Sequence, residues 1–117
     1  MTEQAFKDRT KQYALRIIRL TESLPRGRLA SVIGRQLLRS GTSVGANYRA
    51  ACRGKSRADV IAKLAIVEEE ADECLYWMEL LIDSGLVPEH RITDLMQEGD
   101  EIVAMTVASI KTLRKNQ

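Results

Sequence analysis

From Ile61 to Ile82 one line of residues steps by 3, 4, 3, 4, 3 and 4: Ile61, Leu64, Glu68, Ala71, Leu75, Met78 and Ile82. A repeat near 3.5 residues fits a helix that lays one face along a neighbour, whereas a strand would scatter these side chains over both of its faces. Val60, Val67, Cys74 and Leu81 recur every seven residues beside it, and Trp77 flanks that second line. The apolar surface is wider than one neighbour needs. It predicts burial against a second partner, either within the bundle or in another subunit, and a homo-oligomer if a second helix is as wide.

Three further stretches have the same character. Phe6, Thr10, Tyr13, Ile17, Leu20 and Leu24 form one face, and Leu24-Pro25 ends it because the residue before proline is pushed out of the helical region. Ala30, Ile33, Leu37, Gly41, Val44, Tyr48 and Ala51 form another. Its centre, Ser40-Gly41-Thr42-Ser43, has low helix propensity and predicts a kink or a split. Ile92, Leu95, Gly99, Ile102, Thr106, Ser109 and Leu113 form the last, with Met96, Val103, Val107 and Ile110 beside it. Ser56 with Asp59 suits an N-cap, Gly85 a left-handed C-cap, and Pro88 a first helical turn. The reading is all-α: an antiparallel up-down-up-down four-helix bundle, one domain over 1–117, with helices at about 3–24, 28–53, 57–83 and 88–114.

The N-terminus has no apolar segment of the signal-peptide type, and no apolar run approaches the ~20 residues of a membrane span. Cys52 and Cys74 are not in a C-x-x-C pattern and read as small buried hydrophobes. The expectation is a cytoplasmic protein with no membrane contact.

Little here suggests reaction chemistry. Gly54-Lys55-Ser56 resembles the end of a phosphate-binding loop, but Arg49 stands where the first glycine belongs and a helix precedes it. Glu68, Glu69, Glu70, Asp72 and Glu73 invite a carboxylate metal site. The bundle type that holds two metals needs Glu-x-x-His pairs, and His90 is the lone histidine, outside any such motif. No nucleophile and base stand at a productive spacing. The expectation is no enzyme, no metal and no cofactor. Glu68, on the seam, is expected to pair with Arg49, Asn47 or Tyr48, because an unpaired buried carboxylate is costly.

Charge is the stronger signal. Residues 1–57 hold 13 Lys+Arg and 3 Asp+Glu, and residues 58–117 hold 5 and 13. The net charges are +10 and −8. A basic face for a polyanion follows, with Arg35, Arg39, Arg49, Arg53, Lys55 and Arg57 as the candidate contacts to RNA or DNA. Only Tyr48 is aromatic nearby, so base stacking is not indicated. The competing explanation is that basic and acidic helices pair with each other, within one chain or between copies. In that case the protein is a protein-binding adaptor. Asn47, Tyr48, Glu68, Glu69, Glu70 and Trp77 are assigned to helix or subunit contacts.

The run Leu37-Leu38-Arg39-Ser40-Gly41-Thr42-Ser43-Val44-Gly45-Ala46-Asn47-Tyr48-Arg49-Ala50-Ala51 is followed by Ser56-Arg57-Ala58-Asp59 and Glu68-Glu69-Glu70-Ala71-Asp72-Glu73. Together they resemble the small four-helix-bundle proteins encoded in intervening sequences of bacterial large-subunit ribosomal RNA genes. The accessory variability determinant of diversity-generating retroelements is similar to that family. The resemblance spans Phe6 to about Leu113. It implies a homopentameric, barrel-like ring without enzymatic activity. For the retroelement branch it implies a positively charged assembly that binds nucleic acid and a reverse transcriptase. The acidic second half of this chain departs from a uniformly basic pattern.

Overall fold

A computed structural model describes residues 1–116. Four helices, α1 (Glu3–Glu22), α2 (Arg28–Cys52), α3 (Arg57–Asp83) and α4 (Thr93–Lys115), make up almost all of it, with one 3₁₀ turn at Glu89–Arg91. The molecule is elongated, 48 × 21 × 20 Å.

Local chemistry sets the helix ends. Thr2 Oγ1 accepts the Ala5 N–H at 3.0 Å and starts α1. Ser56 Oγ accepts the Asp59 N–H at 3.1 Å, and Asp59 accepts in return from the Lys55 N–H at 3.1 Å. Two free amides at the start of α3 are thereby satisfied. After α3, Gly85 adopts φ +79°, a conformation that L side chains rarely take. Its turn returns the Leu86 and Val87 N–H groups to the Leu81 carbonyl at 3.0 and 3.1 Å. The last helix differs from the predicted one. Pro88 is extended, the 3₁₀ turn follows, and α4 begins at Thr93. This double bend lets both Val87 and Ile92 enter the core at 2% exposure each. The predicted weak spot at Ser40–Ser43 does not split α2, which is one continuous helix. Ser40, Thr42 and Ser43 each donate a hydroxyl to a carbonyl one turn back, so none competes with the helix for its amides.

Neighbouring helices run antiparallel. On α1 and α2, Ile17 meets Gly41 and Thr10 meets Gly45. On α3 and α4, Leu75 meets Gly99 and Arg57 reaches Asn116. α1 and α4 approach more sparsely, and Arg9 spans the space between them. Its Nε and Nη2 donate to Glu98 at 2.6 and 2.8 Å, and Nη2 also donates to Glu101 at 2.8 Å. The hydrogen bonds to Glu98, above all, raise the guanidinium pKa further above its usual range. Arg9→Ala is expected to cost about 2 kcal/mol in a urea titration, because Glu98 is left half-buried and unpaired. Arg9→Lys should recover only part of that, since an ammonium cannot bond as a planar fork.

The core takes side chains from every helix, including Phe6, Tyr13, Ile17, Leu37, Val44, Met78, Leu81 and Ile102. On α3 the buried residues are Leu64, Val67, Ala71, Cys74, Met78 and Leu81. The core seam therefore interleaves the two predicted lines. Ile61, Leu75 and Ile82 move to its flank, and Glu68 moves with them, half-buried. Glu68 makes no ion pair or hydrogen bond with Arg49, Asn47 or Tyr48, so the expected buried pair is absent. The carboxylate is off the seam and keeps contact with water.

One polar cluster lies inside the core. Cys74 Sγ donates to Ser40 Oγ at 3.4 Å, and the Tyr13 hydroxyl sits beside Cys74 with no hydrogen-bond partner among the described residues. Burial pushes the Cys74 thiol up from 9.0 to about 11, and it raises the Tyr13 phenol as well. Both groups fold with raised pKa values. Their stabilising contribution is intact below the unfolded pKa values and is lost as pH rises through the folded ones. Stability is expected to fall from about pH 9 upward, with Cys74 alone accounting for roughly 2–3 kcal/mol by pH 11. Chemical unfolding at a series of alkaline pH values measures it. Tyr13→Phe should flatten the decline above pH 10.

Candidate nucleic-acid interface

The antiparallel register sets where the charges lie. α1 and α2 form one long side of the bundle and carry most of the basic residues. α3 and α4 form the opposite side, where Glu69, Asp72, Glu79, Asp94 and Asp100 are exposed.

Between α1 and α2 runs a groove lined by Gln4, Lys7, Lys11, Thr42, Arg49 and the small residues Ala14, Gly45 and Ala46. Its depth comes from close helix approach: a Cβ on Gly45 would lie 3.2 Å from Thr10 Oγ1. Lys11 and Arg49 have no carboxylate partner among the described residues, whereas Lys7 pairs with Glu3 at 3.4 Å. Asp8 also lines the groove.

The six cations singled out from the sequence do not converge on one patch. Arg49 points into the groove. Arg53, Lys55 and Arg57 are exposed where α2 turns into α3. There Arg57 donates to the Asn116 carbonyl, bringing Arg114 and Lys115 of α4 to the same end of the bundle. Arg35 is exposed and bonds to Ser31 Oγ at 3.4 Å. Arg39 faces α3, where it is tied to Glu70 at 3.3 Å and to Glu73. Its charge is matched within the chain.

The residues assigned to contacts have these places. Asn47 Nδ2 donates to the Ser43 carbonyl at 2.8 Å within α2. Tyr48 packs edge-on against Phe6 with ring centroids 4.6 Å apart. Trp77 Nε1 donates to Glu73 at 2.9 Å, completing a group with Arg39 and Glu70. Glu69 is exposed and Glu68 is half-buried. Arg9, Glu98 and Glu101 are not among the sequence candidates, and Glu73 appears there only within the acidic run of α3. Arg9 is within reach of the sequence pattern, since it stands three residues after Phe6 and four before Tyr13, half-buried at the edge of the buried stripe of α1. Its partners, about ninety residues away, left no local mark.

Among the described residues no group of three or more His, Cys, Asp or Glu side chains is placed to hold a metal ion. No described helix is long and apolar enough to cross a membrane. No curated protein matches the chain. A solved structure from Bacteroides thetaiotaomicron VPI-5482, described as a protein with unknown function from the S23 ribosomal protein family, is similar to it. That chain is 38% identical, with a TM-score of 0.88 over 95% of this chain and 99% of its own. The family model described as 23S rRNA-intervening sequence protein matches residues 3–108, nearly the whole bundle. The chain therefore belongs to the 23S rRNA-intervening sequence protein family.

Proposed function

We propose that this chain is a non-enzymatic, homo-oligomeric helical bundle that binds RNA or DNA through its α1–α2 side. Lys11 and Arg49 in the groove, with Arg53, Lys55 and Arg57 at the bundle end, are its phosphate contacts. The observation that carries the reading is unmatched charge. Of the 13 Lys and Arg in residues 1–57, only Lys7, Arg9 and Arg39 lie within ion-pair distance of a carboxylate among the described residues. The folded chain leaves most of its basic half available, and a polyanion gains from displacing the counterions held there. The acidic α3–α4 side repels the same ligand and confines it to the basic side. Copies that pair head-to-tail close into a ring when the rotation allows, and the ring that binds a polyanion is one that leaves the groove and the α2–α3 end uncovered. The ring of five follows from the family resemblance.

A second reading has its own observation. Tyr76 is 54% exposed and packs edge-on against Trp77, beside the Arg39–Glu73 pair. An exposed tyrosine backed by a half-buried tryptophan and rimmed by matched charges is suited to a protein partner. On this reading the protein is an adaptor, for example a reverse-transcriptase accessory subunit.

Fluorescence anisotropy with a labelled single-stranded RNA and a duplex DNA, at low and moderate salt, separates the two. Light scattering on the same sample gives the assembly mass. Steeply salt-dependent binding supports the nucleic-acid reading. No binding even at ~50 mM salt, where phosphate contacts are strong, overturns it in favour of the adaptor.

A further inference from the structure

A cleft of about 300 Å³ opens at the other end of the bundle, between the last turns of α1 and the 3₁₀ turn that precedes α4. Arg16, Arg19 and Ser23 line it from α1, and Arg91 lines it from the 3₁₀ turn. Leu20, Ile92 and Leu95, all buried, form its floor. Arg91 Nη2 donates to Ser23 Oγ at 3.3 Å, so the guanidinium is drawn toward α1 while the rest of its fork is unused. None of the three arginines has a carboxylate within ion-pair distance among the described residues. Glu22 and Glu89 are close in sequence and exposed, yet neither pairs with them. α4 begins beside the cleft without a side-chain cap, which adds the positive end of a helix dipole.

Two arginines one turn apart on α1 and a third from the 3₁₀ turn some seventy residues later thus line one hollow with three unpaired positive charges. A compact anion with several acceptor oxygens offers all three charges a counterion and uses the free forks. We infer that this cleft binds a phosphate dianion through Arg16, Arg19, Arg91 and the Ser23 hydroxyl. The site is separate from the α1–α2 groove and does not depend on that groove binding nucleic acid. The phosphate is either the free ion or the terminal phosphate of a nucleic-acid strand.

Calorimetric titration and thermal melting of the full chain with inorganic phosphate, at constant ionic strength set with chloride, test the inference. Saturable binding and a raised melting midpoint are expected. Arg91→Gln and Arg19→Gln should each weaken binding about tenfold or more, as the loss of a charge-assisted hydrogen bond does. Lys111→Gln, exposed on α4 and away from the cleft, should not. Arg91 is exposed, so its variant should melt like the wild type without phosphate. If it does not, Arg91→Lys retains the charge without the fork, and its phosphate affinity should fall between the two. A 5′-phosphorylated single-stranded RNA that outcompetes its 5′-hydroxyl counterpart, with the preference lost in Arg91→Gln, assigns the site to a strand end. Equal affinities with the inorganic phosphate response intact assign it to free phosphate. No saturable response beyond that to chloride, or an Arg91→Gln response equal to wild type, overturns the proposal.

Discussion

Gly41→Val is expected to lose about 3 kcal/mol of stability, read as a drop of roughly 10 °C in the melting midpoint. A Cβ at this position would lie 2.5 Å from Ile17 Cδ1, 2.9 Å from Cγ2 and 3.2 Å from Cβ. Cδ1 can rotate away. Cγ2 and Cβ cannot, because a β-branched side chain in a helix is held close to one rotamer. α1 and α2 must then separate, which also loosens the contact between Gly45 and Thr10. Replacing a mid-helix glycine returns up to about 1 kcal/mol of propensity, too little to offset the overlap. Gly34→Ala is the control. Its Cβ would meet only Leu24 Cδ1, at 3.0 Å, the far end of a half-buried side chain. That variant should be neutral or more stable by up to about 1 kcal/mol. Combining Gly41→Val with Ile17→Ala should cost less than the two changes added separately. Similar losses at Gly34 and Gly41 in chemical unfolding would refute the close-approach account.

Reversing both free cations of the groove, Lys11→Glu with Arg49→Glu, is expected to weaken binding of single-stranded RNA or duplex DNA about a hundredfold at ~50 mM salt. Each lost phosphate contact removes close to one unit of slope in log affinity against log salt, so the slope should shrink by about two. The reversed charges also repel the backbone they formerly attracted. Arg39→Glu gives the informative contrast. Arg39 is already matched by Glu70 and Glu73, and reversing it puts three carboxylates together on the α2–α3 seam. It should lower stability and change affinity little. If Arg39→Glu weakens binding as much as the groove pair does, the contact surface is the α2–α3 seam instead. The readouts are anisotropy for affinity and a melt for stability.

The two experiments probe different kinds of information. Gly41 and Gly45 stand out in the sequence as small residues at helical spacing, a pattern that suits close helix packing. Which helix they admit, and against which atoms, depends on the rotation of α1. The basic candidates show the same limit. Arg39 and Arg49 have the same chemistry and lie ten residues apart on one helix. One is matched by α3 and the other faces the groove with α1. Arg91 is an isolated cation in the acidic half of the sequence, yet it reaches the cleft beside Arg16 and Arg19.

The sequence alone determined the four helices, most of their limits and the stripes that drive them together. Those features rest on backbone hydrogen bonds, caps and turns within a few residues, as at Thr2, Ser56 and Gly85. The tertiary structure decided which of two interleaved lines on α3 became the core, why Glu68 stays off that seam, where Arg9 finds Glu98 and which arginines share a cleft. Each of these depends on the azimuth of one helix relative to another and on partners 30 to 90 residues away. Hydrophobic burial constrains that azimuth only through the fit of all four stripes at once.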